Sequence, residues 1–170
     1  MSDFHDLFEK VTERFSVPVK LSKNCESTTF YRVEYLNQDD ISYCADYLAG
    51  RVLDCVSPIE PEFIVEMPGS SVGLAKALAG AMGEIAFEPA VISLEEFSKG
   101  NGKASQMKGK NIILSNDVIT TARSCLEAHS KLTLSGANVV AWAALIDRTF
   151  GPGPVPILAT LTGEPVTLLE

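Results

Sequence analysis

Apolar residues at the start of the chain recur with a helical period. Phe4, Leu7, Phe8, Val11 and Phe15 fall near i, i+3, i+4, i+7 and i+11, which predicts a helix over Asp3–Phe15 capped by Ser2 or Asp3. Pro18 ends the turn that follows, and Ser27–Leu36 (STTFYRVEYL), rich in Thr, aromatic and β-branched residues, predicts a strand. Asp39–Val56 predicts a second helix with Ile41, Cys44, Ala45, Leu48, Val52, Leu53 and Val56 on its inner face, and Asp39 and Asp40 where the helix dipole favours anions. Pro58 and Pro61 break the chain there.

From residue 62 the pattern alternates. Strands are predicted at Glu62–Met67, Ile85–Ser93, Asn111–Ser115, Asn138–Ile146 and Ile157–Leu161, and helices at Gly73–Met82 and Thr121–Leu134. Pro68–Val72 is a Gly/Ser turn, and Gly151–Pro156 (GPGPVP) is a stiff connector. The polar stretch Leu94–Lys110 predicts a long mobile loop, which in a compact domain usually serves as a lid or binding loop. Strand–helix–strand alternation implies an α/β fold, with a mostly parallel twisted sheet flanked by helices.

Composition narrows this picture. A chain of 170 residues is most simply one domain. Lys and Arg number 14 against 22 Asp and Glu, so the net charge of -8 argues against non-specific nucleic-acid binding. It leaves room for a small anionic substrate held by backbone N–H groups and a few local cations. No apolar stretch approaches the roughly 20 residues of a spanning helix, and MSDFHDLFEK has no apolar leader region, so no membrane association and a cytoplasmic location are expected. Cys25, Cys44, Cys55 and Cys125 form no CxxC pair and read as free thiols in a reducing compartment. His5 and His129 show no metal-ligand or triad pattern.

The segment with chemistry in it is Asn111–Ser124, NIILSNDVITTARS. An apolar strand runs into Asn116 and Asp117, then Val118 and Ile119, then Thr120 and Thr121 at a helix start. Ligands in open α/β sheets bind beyond the carboxyl ends of the strands. Two hydroxyls and free N–H groups at a helix N-terminus suit a phosphate, and Asp117 is placed to accept from sugar hydroxyls. The same residues also serve as ordinary helix caps, and on this segment alone the two readings are equal.

Over Ile112–Ser124 the chain resembles the PRPP-binding signature of type I phosphoribosyltransferases: four apolar residues, two acids, two aliphatics, Thr-Thr-Gly, any residue and Ser. The order of elements is similar to that of the orotate phosphoribosyltransferases over nearly the whole chain. The resemblance implies a small N-terminal hood at residues 1–60, a core with the PRPP site at 61–150 and a C-terminal strand at 151–170. It implies that Asn116, Asp117, Val118, Ile119, Thr120, Thr121, Ala122, Arg123 and Ser124 bind PRPP. It gives the diphosphate to a loop of Pro68, Gly69, Ser70 and Ser71, and the base to Phe30, Tyr31, Thr120 and Arg148. Arg148 ends the run ALIDR and supplies a planar bidentate donor for a base carboxylate. Mg2+ is expected as cofactor, carried by PRPP with Asp117 as its candidate protein ligand, and a homodimer is expected.

Several positions depart from the family pattern. Asn116 stands for the first acid and Ala122 for the glycine. Glu26 stands where a lysine is usual, with Lys23 close by in sequence. The loop lysine is out of register, leaving Lys99 or Lys103 to meet the diphosphate beside Asp117 as the catalytic set. The resemblance therefore implies phosphoribosyl transfer from PRPP to orotate in pyrimidine nucleotide biosynthesis, with two alternatives: another base, or a catalytically weak PRPP- or nucleotide-binding sensor.

Overall fold

The computed structural model describes residues 4–99, 103–149 and 151–169. Helix α1 spans Phe4–Val11, and strand β1 (Thr12–Ser22) follows without a break. The expected helix thus stops four residues short of Phe15, and its expected cap at Ser2 or Asp3 lies outside the described residues. The cause is pairing. β1 lies antiparallel to β2 (Cys25–Tyr31), with Thr12 opposite Tyr31 and Lys20 opposite Glu26. A ladder with a neighbouring strand outweighs a weak local helical period. The ladder is irregular between Arg14 and Val19, where Pro18 cannot donate. β2 ends at Tyr31 rather than Leu36, because β1 offers no partner beyond the Arg32 N–H to Val11 carbonyl bond of 2.7 Å; Val33–Tyr35 closes as a 3-10 turn.

Helix α2 (Gln38–Val56) begins at a capping box in which Asn37 and Asp40 satisfy each other's backbone N–H groups. Strand β3 (Phe63–Glu66) and helix α3 (Leu74–Ile85) follow, and strand β4 is only Ala90–Ser93. The strand expected from Ile85 starts five residues later because the Ala-rich helix runs on through Ile85 and Pro89 marks the entry to the strand. The segment expected as a loop over Leu94–Lys110 contains two short helices, α4 (Leu94–Ser98) and α5 (Lys103–Gln106), while residues 100–102 lie outside the described residues. A second capping box, Ser93 with Glu96, starts α4, and Leu94, Phe97 and Met107 are buried under it.

Strand β5 (Asn111–Ile119) is longer than the expected Asn111–Ser115 and carries the signature residues on its end. Helix α6 (Arg123–Leu134), strand β6 (Asn138–Asp147) and strand β7 (Ile157–Thr162) complete the main sheet, which is parallel throughout in the order β4-β3-β5-β6-β7. A last two-residue strand, β8 (Thr167–Leu168), adds to β2 and makes a second, three-stranded sheet in the order β1-β2-β8.

Apolar side chains fill both faces of the parallel sheet. On one face Ile64 and Ile113 pack with Leu48, Val52, Leu78 and Met82 of α2 and α3, and with Leu7 and Val11 of α1. On the other, Leu114 and Trp142 pack with Ala128 and Leu132 of α6 and with Phe97 and Met107. Trp142 is fully buried, and its indole N–H reaches His129 Nδ1 at 3.4 Å, tying β6 to α6. The carboxyl ends of β3, β5 and β6 share one edge, which collects Glu66, Asp117 and Arg148.

Candidate functional site

β5 passes into α6 through Thr120, Thr121 and Ala122, and Ala122 caps the helix at φ 59°. It is the one non-glycine residue in the left-handed region among the described residues. That conformation costs an alanine roughly 1–2 kcal/mol, so the turn is held by its surroundings. Residues 118–125 and Asn116 enclose a small polar cavity of about 100 Å³ there, where the first N–H groups of α6 have no intrahelical acceptor.

Asn116 and Asp117 face opposite sides of β5. The Asn116 amide reaches Cys125 Sγ on α6 at 3.7 Å. The Asp117 carboxylate lies on the α3 side, 5% exposed, where its Oδ2 accepts from the Ser71 N–H at 2.8 Å. Its Oδ1 is buried with no hydrogen-bond partner among the described residues, and so is Ser70 Oγ. Burial pushes the Asp117 carboxyl above the usual carboxylate range, against the pull of the backbone N–H groups of Ser71 and Val72. Burial also raises Glu66 on neighbouring β3, and the Asp117 charge adds to that rise. Pro68, Gly69, Ser70 and Ser71 form the turn over Asp117. The turn depends on glycine twice, with Gly69 at φ 86° and Gly73 at φ 78° as the cap of α3.

Arg148 follows β6 and is 3% exposed. Its Nε donates to the Glu164 carbonyl at 2.6 Å and its Nη2 to Ser27 Oγ at 2.7 Å. Its guanidinium carbon stands 4.9 Å from the centroid of the Tyr31 ring. A guanidinium has five N–H groups, so about three remain after these two bonds. No carboxylate of a described residue lies within salt-bridge distance of it. The nearby Glu164 carboxylate is engaged by the Thr29 hydroxyl instead, and the Glu164 N–H donates to Tyr31 Oη at 2.7 Å. Burial pulls the Arg148 pKa down. Gly163 lets this turn approach so closely: an added Cβ would stand 2.9 Å from Arg148 Cγ and 3.0 Å from the Tyr31 ring.

Arg148, Trp142, Thr120 and Thr121 share a cavity of about 310 Å³ closed on one side by Pro165 and Val166. A second, of about 630 Å³, lies between the β1–β2 turn with Lys23 and the β5–α6 turn with Arg123 and Ser124. The structure thus brings Arg148, Thr120 and Thr121 to one cleft, while Tyr31 packs on Arg148 without lining it. It does not bring Phe30 there: that ring faces the other side of β2, under Arg32 with its guanidinium carbon 4.8 Å from the centroid. Glu26 is taken up opposite Thr167 in the hood sheet. Lys99 is exposed at the end of α4, beyond edge strand β4, and the Lys103 side chain lies outside the described residues. Ser27, Gly163 and Glu164 were not foreseen. The ALIDR run announces an arginine, but nothing local in the sequence announces which residues 121 and 16 positions away will hold it.

No family model and no curated protein matches the sequence. Solved structures do. An orotate phosphoribosyltransferase from Francisella tularensis is 16% identical with a TM-score of 0.63, covering 94% of this chain and 83% of that one. The orotate phosphoribosyltransferase of Mycobacterium tuberculosis is 16% identical with a TM-score of 0.64, over 94% of both chains. A hypoxanthine-guanine enzyme from Leishmania tarentolae, solved with GMP, is 12% identical with a TM-score of 0.57 over 76% of this chain. The chain therefore has the type I phosphoribosyltransferase fold, most like that of the orotate enzymes, whose likeness extends over nearly its whole length. No helix of the described residues is long and apolar enough to cross a membrane.

Proposed function

We propose that this protein transfers a phosphoribosyl group from PRPP to orotate, giving orotidine 5'-monophosphate and pyrophosphate. The observation that carries this reading is Arg148: a buried guanidinium without a carboxylate partner among the described residues, lining a cavity shared with the phosphate-loop threonines. An unpaired buried charge is costly. An anionic, carboxylated pyrimidine compensates it, whereas a neutral purine or uracil does not. The cavity and the polar cavity at the α6 N-terminus share Thr120, Thr121 and Ala122 in their linings, which supports one ligand reaching both.

In the reaction a ring nitrogen of orotate bonds to the anomeric carbon, the bond to the diphosphate oxygen breaks, and pyrophosphate leaves with the electron pair. The ring-nitrogen proton passes to solvent. The protein's part is to position the reactants and stabilise separated charge. Thr120, Thr121, Ser124 and the first N–H groups of α6 hold the 5'-phosphate. In the Pro68–Ser71 turn the Ser71 N–H is held by Asp117 and the Ser70 N–H by the Met67 carbonyl, so the Gly69 N–H is the one offered to the diphosphate, and Lys99 or Lys103 neutralises it. The buried Oδ1 of Asp117 accepts from a ribose hydroxyl.

Magnesium fits this site only as a passenger of the substrate. No cluster of three or more His, Cys, Asp or Glu stands ready for a metal among the described residues, but an ion bound to a diphosphate needs few protein oxygens, and Asp117 Oδ1 is one without a partner. Asp117 is the residue that would hold it, and the ion would neutralise charge on the departing diphosphate. The same reading places the enzyme in the cytoplasm as a homodimer. A second reading, PRPP binding without turnover, is favoured by Asn116, whose amide turns to Cys125 and leaves one signature carboxylate.

A thermal-shift panel tests the proposal. PRPP with magnesium raises the Tm, and orotate raises it further where uracil and hypoxanthine do not; a ligand at 100 times its Kd adds about 2.7 kcal/mol. Equal responses to all three bases, or none to PRPP, contradict it.

A further inference from the structure

We infer that Lys23, at the tip of the hood hairpin, binds the 5'-phosphate of PRPP from the side opposite α6. This rests on the reading of the β5–α6 turn as a phosphate site, and not on the choice of base. Ser22 pairs with Cys25, so the β1–β2 turn consists of Lys23 and Asn24 alone. Its backbone is fixed: the Asn24 N–H donates to Ser22 Oγ at 3.4 Å, and the Asn24 carbonyl accepts from the Leu169 N–H at 2.9 Å. Lys23 itself is exposed and makes no ion pair among the described residues. It lines the cavity of about 630 Å³, across from Thr121, Arg123 and Ser124. Among the described residues no aspartate or glutamate lines that cavity, although the chain carries a net charge of -8. A cavity with cations on facing walls and no acids concentrates anions.

Part of the Arg123 charge is already engaged, because its Nε donates to Glu127 Oε1 at 3.1 Å, one turn along α6. Lys23 has no such partner, and its ammonium carries three N–H donors. The polar cavity at the α6 N-terminus shares Thr120, Thr121, Arg123 and Ser124 with the larger one, so a phosphate seated on the first N–H groups of α6 opens onto it. One side of that anion meets N–H groups and hydroxyls, and the other meets the Lys23 ammonium. The larger cavity also shares Thr120, Thr121 and Leu168 with the one at Arg148. Arg148 and Lys23 thus stand on either side of the same shared residues, one for the base and one for the phosphate. Lys23 belongs to the hood and Ser124 to the core, so a phosphate bonded to both joins them.

The test uses the full chain with Lys23→Gln, which removes the charge, and Lys23→Arg, which keeps it. Lys23 is exposed, so neither substitution touches the core. Affinities for PRPP with magnesium, for ribose 5-phosphate and for magnesium pyrophosphate are measured by calorimetry at low salt and at about 0.15 M, where the Debye length is about 8 Å. The expected result for Lys23→Gln is about a tenfold loss of affinity for PRPP and for ribose 5-phosphate, the size of one hydrogen bond to a charged group. The loss narrows at the higher salt, pyrophosphate binds as before, and Lys23→Arg stays near wild type. Unchanged PRPP affinity in Lys23→Gln overturns the inference and leaves the proposed function standing. A loss for PRPP and pyrophosphate with ribose 5-phosphate unchanged overturns it by moving Lys23 to the diphosphate. A loss that arginine does not restore overturns it in favour of a structural role. A wild-type chain that ignores orotate but binds PRPP, with the expected loss in Lys23→Gln, removes the orotate reading and upholds this inference. A wild-type chain that binds neither PRPP nor ribose 5-phosphate removes both.

Discussion

Asp117 shows what the site costs the fold. Its carboxylate is buried, with Oδ2 accepting from the Ser71 N–H and Oδ1 without a hydrogen-bond partner among the described residues. Because burial raises its pKa in the folded chain, the folded state keeps a proton that the unfolded state gives up. The sign follows: stability is highest where both states are protonated and falls as pH rises from the usual carboxylate range through the folded value. Asp117→Asn removes that titration. Its Tm at neutral pH is expected above wild type, with the advantage shrinking as the solution is acidified, while the PRPP-magnesium shift is lost. A pH-independent gap, or a variant less stable at neutral pH, contradicts the account. Of the residues at this scale, Asp117, Thr120, Thr121 and Arg148 were legible because each sits in a run whose local order carries meaning. The partners of Arg148 were not, since Ser27 and Glu164 reach it only through tertiary folding.

Among the elements, the parallel sheet was the most legible part, because strands buried on both faces read as continuous apolar runs. Short elements were the least. α1 yields to β1 after Val11 because β2 pairs with the following residues, and β8 has only two residues. The polar stretch after β4 concealed α4: Leu94 and Phe97, three apart, are anchors set among glycines and lysines, and the Ser93–Glu96 capping box is its start signal. Phe97 is 7% exposed and packs into the α6-side core. Phe97→Ala is accordingly expected to cost about 3 kcal/mol, read as a lower urea midpoint at unchanged m-value. A cost near zero would mean that α4 is not docked.

The whole molecule is two sheets meeting at one arginine. The hood sheet brings Ser27, Thr29 and Tyr31, the parallel sheet brings Arg148, and the chain between β7 and β8 brings Gly163 and Glu164. The β5–α6 turn, through Thr120 and Thr121, opens on the same cleft as Arg148. That convergence supports the proposed transfer of a phosphoribosyl group to an anionic pyrimidine. Its most direct test is the ultraviolet absorbance of orotate in a mixture of the purified protein, PRPP and magnesium. Orotate absorbance is expected to fall only when all three components are present, one for one with released pyrophosphate, and to stay constant with Arg148→Met. Orotate left intact while PRPP still raises the Tm would contradict it.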